Sequence, residues 1–311
     1  MDIFTIIIII IGLVFFEVIN SVDNAIINAD VLSTMDKKYR KWFLFAGMFF
    51  AVFVVRGLLP WMIIWFSNPS IGPLGAFQSS LSSNPNIIRA IESSSPVLLV
   101  SAATFLLFLF FHWLFLEPKK VFLPGEKFFQ SNFFMFYAFV SIVLSIVVWF
   151  GIHKNNLMAF AAVFGATAFY IIETIRRYAE EKSQFMNRKK MTNISKILYL
   201  EVLDASFSID GVVGAFAFTL SVPLILVGNG IGALVVRHLT IKNVAIIKKY
   251  KYLKKGAMYT IFVIGFIMLL DSFGANIPNW IPPLLTFLIV GASVYASRKQ
   301  IAELKLDHER N

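Results

Sequence analysis

Two stretches of this chain set carboxylates into otherwise apolar sequence at the same spacing. The first reads Glu17-Val-Ile-Asn20-Ser21-Val-Asp23-Asn24 and the second Asp204-Ala-Ser-Phe-Ser208-Ile-Asp210-Gly211. In each, an acid is followed after five residues by Asp, with a serine two places before that Asp, and Glu201 lies three residues ahead of the second set. A charge at the centre of a membrane helix costs roughly 2.5 to 3.5 kcal/mol, so Glu17, Asp23, Glu201, Asp204 and Asp210 together carry a penalty on the order of 15 kcal/mol. A bound cation, protonation or a pairing base would offset it. The carboxylates, the amide oxygens of Asn20 and Asn24 and the hydroxyls of Ser21 and Ser208 form a hard oxygen set, which suits magnesium, calcium or manganese over copper or zinc. Arg56 is the base that falls inside an apolar run, either as counter-ion to one of these acids or as a cation that fills the site between loads. Asn229, between Gly228 and Gly230, is a second gating candidate or a mark of tight helix packing.

The elements that must position these residues follow from composition. The chain has 311 residues, 58% of them hydrophobic and 15% charged, and its mean hydropathy is +0.75. Its apolar runs are long enough to span a bilayer, which predicts an all-α, polytopic transmembrane helix bundle. Nine spans are expected, at about 3–30, 42–66, 96–116, 132–151, 156–175, 196–220, 222–240, 256–271 and 281–297. The net charge of +10 is gathered in short segments between these runs, namely 37–41, 119–127, 176–190 and 242–255. That pattern belongs to cytoplasmic loops and excludes a nucleic-acid partner. It puts the N-terminus outside and the C-terminal tail in the cytoplasm of a bacterial-type cell membrane. The start, Met1-Asp2-Ile3, has no basic signal-peptide region, so the first apolar run is expected to remain as a helix. Without cysteine there is no thiolate site.

With this topology the two acid motifs enter the membrane in opposite directions, as in the inverted repeats of secondary transporters. Spans 1–3 and 6–8 are the expected repeats, spans 4 and 5 link them, and span 9 is appended. The chain then divides into residues 1–116, 117–195, 196–275 and 276–311. On a regular helix Glu17, Asn20, Ser21, Asn24 and Asn28 share a stripe, as do Glu201, Asp204 and Ser208. Asp23 and Asp210 each sit about 120° from their partner acid. A helix break near Asp23-Asn24 and another near Asp210-Gly211 would bring them inward. His112 and Glu173 are expected at the interface, Arg237 and His238 snorkelling at the cytoplasmic end, 67–95 as an irregular external loop, and 176–190 as a solvated linker.

Glu17-x5-Asp23-Asn24, Glu201-x2-Asp204-x5-Asp210, Gly228-Asn229-x-Ile231-Gly232-Ala233 with Arg237, and Tyr252-Leu253-Lys254-Lys255-Gly256 together resemble the TerC family of integral membrane proteins. The resemblance implies efflux of a divalent metal, chiefly manganese. The chain departs from that pattern at Gly211, where a serine is expected after the last Asp. Residues and resemblance together predict a membrane transporter that exports a divalent cation, most simply manganese, through an acidic midplane site by alternating access. It would be no enzyme and hold no resident cofactor, its partners being the metal ion and the lipid bilayer. The alternative is a non-transporting membrane protein that responds to metal or stress, or acts as a scaffold. Asp23 and Asp210 on separate helices also suggest an intramembrane aspartyl protease, but the Gly-x-Gly-Asp context is missing.

Overall fold

The computed structural model describes residues 2–43, 47, 49, 57–58, 61–62, 65, 72–81, 85–118, 124–185 and 191–310. Among them the regular structure is helical throughout: α1 (Ile3–Asn20), α2 (Val22–Ser33), α3 (Lys37–Trp42), α4 (Gly72–Leu81), α5 (Pro85–Leu116), α6 (Pro124–Ser131), a 3-10 turn (Phe133–Met135), α7 (Phe136–Lys154), α8 (Asn156–Phe185), α9 (Asn193–Ala215), α10 (Val222–Lys249), α11 (Leu253–Ser272) and α12 (Ile281–Arg310). Six helical stretches among the described residues are long and apolar enough to cross a membrane: Ile3–Asn20, Ser95–Leu116, Phe133–Lys154, Asn156–Tyr178, Leu253–Ser272 and Ile281–Glu303. That is the make-up of a multi-pass membrane protein. Helix α9 is not among the six, because Lys196, Glu201, Asp204 and Asp210 interrupt it.

Side chains fix where the helices begin. Asp2 caps α1 by accepting the Thr5 backbone N–H, and Thr192 caps α9 by accepting from Ser195 N. Pro85 opens α5, a position where its missing N–H leaves nothing unsatisfied. The expected irregular loop at 67–95 is therefore corrected, since α4 and the first part of α5 lie within it.

Helix α5 is the hub, with Leu106, Phe108 and Trp113 wholly enclosed. Its aromatic rings meet α8 through Phe105–Phe169 and α11 through Phe110–Phe262, at centroid distances of 6.2 and 4.6 Å. At the rim, α7 exposes Ile142, Ile146, Trp149 and Phe150, a surface suited to lipid tails.

Residue pairs give the helix directions. Against α1, the glycines Gly228 and Gly232 of α10 fall beside Leu13 and Glu17, rising together, so α1 and α10 are parallel. Gly12 beside Pro283 and Phe15 beside Phe287 make α12 parallel to α1 as well. Against α9 the order reverses. Lys196 and Asn193 bond Thr34 and Asp36, whereas Gly211 and Gly214 sit beside Glu17 and Phe16, so the two motif segments run antiparallel. Likewise α5 and α11 are antiparallel (Trp113 with Tyr259, Leu106 with Gly265), and α5 and α8 are parallel (Ser101 with Gly165, Phe105 with Phe169).

Candidate functional site

The interruption of the first motif lies at Ser21, between α1 and α2, with φ −90° and ψ 4°. Helical hydrogen bonding carries across it, Ser21 N–H to the Glu17 carbonyl at 3.0 Å and Ala25 N–H to the Ser21 carbonyl at 2.9 Å, so it is a local kink. The Ser21 hydroxyl donates to Glu17 Oε1 at 3.0 Å. The expected break at Asp210-Gly211 is absent: α9 stays helical through both and ends at Ala215. No proline falls inside α9, and Gly211 costs a helix far less than a proline would.

Glycine explains how a glutamate fits at this crossing. A Cβ on Gly211 would stand 2.6 Å from Glu17 Oε2 and 3.6 Å from Asn20 Nδ2, and one on Gly232 would stand 2.6 Å from Glu17 Cβ. The carboxylate thus occupies room left by two missing side chains, and Glu17 is 1% exposed. The serine expected at 211 would push into that carboxylate.

Asp210 is buried and meets Arg176 of α8, with Arg176 Nη2 donating to Oδ2 at 2.9 Å. Arg176 also lies 3.8 Å from Glu173. Glu173 in turn meets His112 of α5 at 3.2 Å and Arg177 at 2.8 Å. Asp204 lies nearer the start of α9 and faces Arg237 of α10 at 3.6 Å. That guanidinium donates to the Phe43 carbonyl at 2.7 Å and lies over the Phe43 ring. Ser208 turns its hydroxyl back onto the Asp204 carbonyl at 2.6 Å. Glu201 is set against Gly47.

Of the sequence-predicted residues, the structure thus gathers Glu17, Asn20 and Asp210 at one level, with Asp204, Ser208 and Glu201 along α9. Asp210 lies six positions beyond Asp204, about 9 Å of helix rise. Asp23 and Asn24 lie on α2, their side chains outside the described residues, and Arg56 also lies outside them. Two expectations are corrected. Arg176 is turned into the bundle, not into a solvated linker, because α8 continues to Phe185 and carries it past Asp210. Arg237 likewise points inward instead of snorkelling. A run of basic residues after an apolar span looks the same in sequence whether its first arginine faces solvent or an acid on the next helix.

Several buried polar atoms have no hydrogen-bond partner among the described residues: both Glu201 oxygens, Asp210 Oδ1, Asn28 Oδ1, and the amide oxygen and nitrogen of Asn229, which is fully enclosed. Among the described residues no three acids or histidines converge as a closed metal cage would require. The arrangement is a ladder of carboxylate and amide oxygens along two antiparallel helices, with an arginine at each of two rungs.

An all-helical, multi-pass membrane protein with acids buried at a helix crossing is thereby defined. Residues 22–302 match the family described as protein of unknown function (DUF475), and the chain belongs to that family. Neither a curated protein nor a solved structure gives a match.

Proposed function

We propose that this protein exports a divalent metal cation, manganese most simply, through the ladder formed by Glu17, Asp23, Glu201, Asp204 and Asp210, with Asn20, Asn24 and Ser208 as oxygen ligands. The observation that carries this reading is the set of buried oxygens without a hydrogen-bond partner, Glu201 Oε1 and Oε2, Asp210 Oδ1 and Asn28 Oδ1. An unsatisfied buried acceptor costs about 1–3 kcal/mol, more when charged, and a cation moving along the ladder would satisfy the oxygens of each rung in turn. The donors are carboxylate and amide oxygens and the chain has no cysteine, so the site suits a hard cation.

Nine spans and an inverted repeat are part of the proposal. The antiparallel courses of α1–α2 against α9, and of α5 against α11, support it, since a two-fold axis in the membrane plane would exchange those pairs. In this scheme the N-terminus is outside and the C-terminus is in the cytoplasm of a bacterial-type membrane. Arg176 and Arg237 stabilise the acids between loads and swing aside as the cation passes. Arg56 and Asn229 remain gating candidates. Export is driven by an ion gradient or the membrane potential, because the sequence carries no nucleotide-binding Gly-rich loop.

The pairing of Asp204 and Asp210 with arginines favours one other reading, a static polar network in a non-transporting scaffold. Cellular manganese, magnesium, calcium, iron and zinc, measured with and without the protein, separate the two. Export lowers manganese; metal content unchanged across the panel contradicts it.

A further inference from the structure

We infer that His112, with Glu173 and Arg177, forms a proton-binding site whose occupancy opposes cation binding at Asp210. The inference rests on the export reading and names its coupling ion. His112 is buried near the end of α5, with Phe136 and Phe169 against its ring. One nitrogen, Nε2, has two suitors: Arg177 Nη2 at 2.6 Å and Glu173 Oε1 at 3.2 Å. Bare Nε2 accepts from Arg177. Once protonated it donates to Glu173 and repels Arg177, whose side chain is 51% exposed and has water to move into.

Glu173 links this choice to the cation ladder, because the same carboxylate lies 3.8 Å from Arg176, which holds Asp210 at 2.9 Å. A hydronium ion gives its proton to the Nε2 lone pair and leaves as water. The imidazolium then takes up the Glu173 charge, Arg176 is left to Asp210, and the cation loses that ligand. Loss of the proton restores the pull of Glu173 on Arg176 and frees Asp210 for the cation. The charged groups acting on His112 are Glu173, Arg176 and Arg177 of α8 and Glu117, just past the end of α5. Glu117 is engaged by Lys254 of α11. From α6 and α11 come Glu126, Lys255 and Tyr259, closed on one another. The α9 acid Asp210 acts through Arg176, and α7 brings the uncharged Phe136. His112 is thus the one imidazole on which these charges act.

The test is calorimetry of manganese chloride binding to the full-length protein in detergent between pH 5.5 and 7.5, in buffers of different ionisation enthalpy, which counts protons released per metal bound. Below the His112 titration midpoint the parental affinity falls by about tenfold per pH unit for one displaced proton. His112→Gln still binds manganese and releases up to one proton fewer. Arg177→Gln, altered on an exposed side chain, removes a nearby positive charge and moves the affinity loss to higher pH. His112→Gln that binds manganese with the parental proton count overturns the inference and leaves the export reading standing. If His112→Gln does not fold, an unchanged pH profile in Arg177→Gln overturns it equally. A parental protein that binds no manganese at any pH overturns the export reading and this inference with it.

Discussion

Replacing Gly232 by alanine should separate the two helices that enclose Glu17. The new Cβ would lie 2.6 Å from Glu17 Cβ, 2.8 Å from Cγ and 3.1 Å from the Val14 carbonyl oxygen. Carbon atoms in contact prefer about 3.5–4.0 Å, so α1 and α10 must part by roughly 1 Å at this level. The obstructing atoms are backbone and the root of a side chain, which cannot swing away. Overpacking of this kind costs about 1–3 kcal/mol, and alanine returns up to about 1 kcal/mol through helix propensity. The net loss is then as much as about 2 kcal/mol. Gly291 on α12 is the control, because a Cβ there meets nothing within 4 Å, and Gly291→Ala should keep the propensity gain. Thermal unfolding in detergent, with manganese binding measured on the same samples, reads both effects. Gly232→Ala should melt below the parent and bind metal more weakly, and Gly291→Ala should melt at or above it. A Gly232→Ala protein as stable as Gly291→Ala, with parental binding, would refute the idea that Glu17 is held in space vacated by glycine.

Gly211→Ser should fold but push the Glu17 carboxylate aside, weakening manganese binding by about tenfold, or 1.4 kcal/mol, in the same calorimetry; unchanged affinity would detach Glu17 from the site. Arg176→Gln leaves a buried Asp210 carboxylate without its cation, a loss of about 3–5 kcal/mol for such pairs. The double variant Arg176→Gln/Asp210→Asn should recover much of that in thermal unfolding, and no recovery would show that the pair is not what Arg176 stabilises. Reporter fusions at Ser80 and Asn187 should locate to opposite faces of the membrane, and the same face for both would remove the inverted-repeat scheme.

The helix plan was legible because membrane spans are read from apolar length, a signal that needs no tertiary information. Positions 156–175, 256–271 and 281–297 were expected as spans and fall within α8, α11 and α12, and 132–151 covers the 3-10 turn and most of α7. The alternation of basic and neutral loops predicts opposed courses for the two acid motifs, and α2 and α9 run antiparallel where they meet. The ion-pair partners were not. Arg176 reaches Asp210 across 34 positions of sequence, and no local spacing encodes that contact. His112 and Glu173, expected at the interface, meet for the same reason, because the parallel packing of α5 and α8 was not derivable from either helix alone. The helix break was half legible: the kink at Ser21 is two residues from its expected place, and Gly211 serves close packing instead of a break.

The central claim is that carboxylates on two antiparallel helices share one transported divalent cation. The most direct measurement is manganese uptake into inside-out vesicles by the parental protein and by Asp23→Asn and Asp210→Asn, each scaled to the amount of folded protein. The account predicts robust uptake by the parent and near-complete loss in both variants, since each removes one negative charge from a hard-cation site while keeping side-chain volume. Parental uptake rates in either folded variant would contradict it.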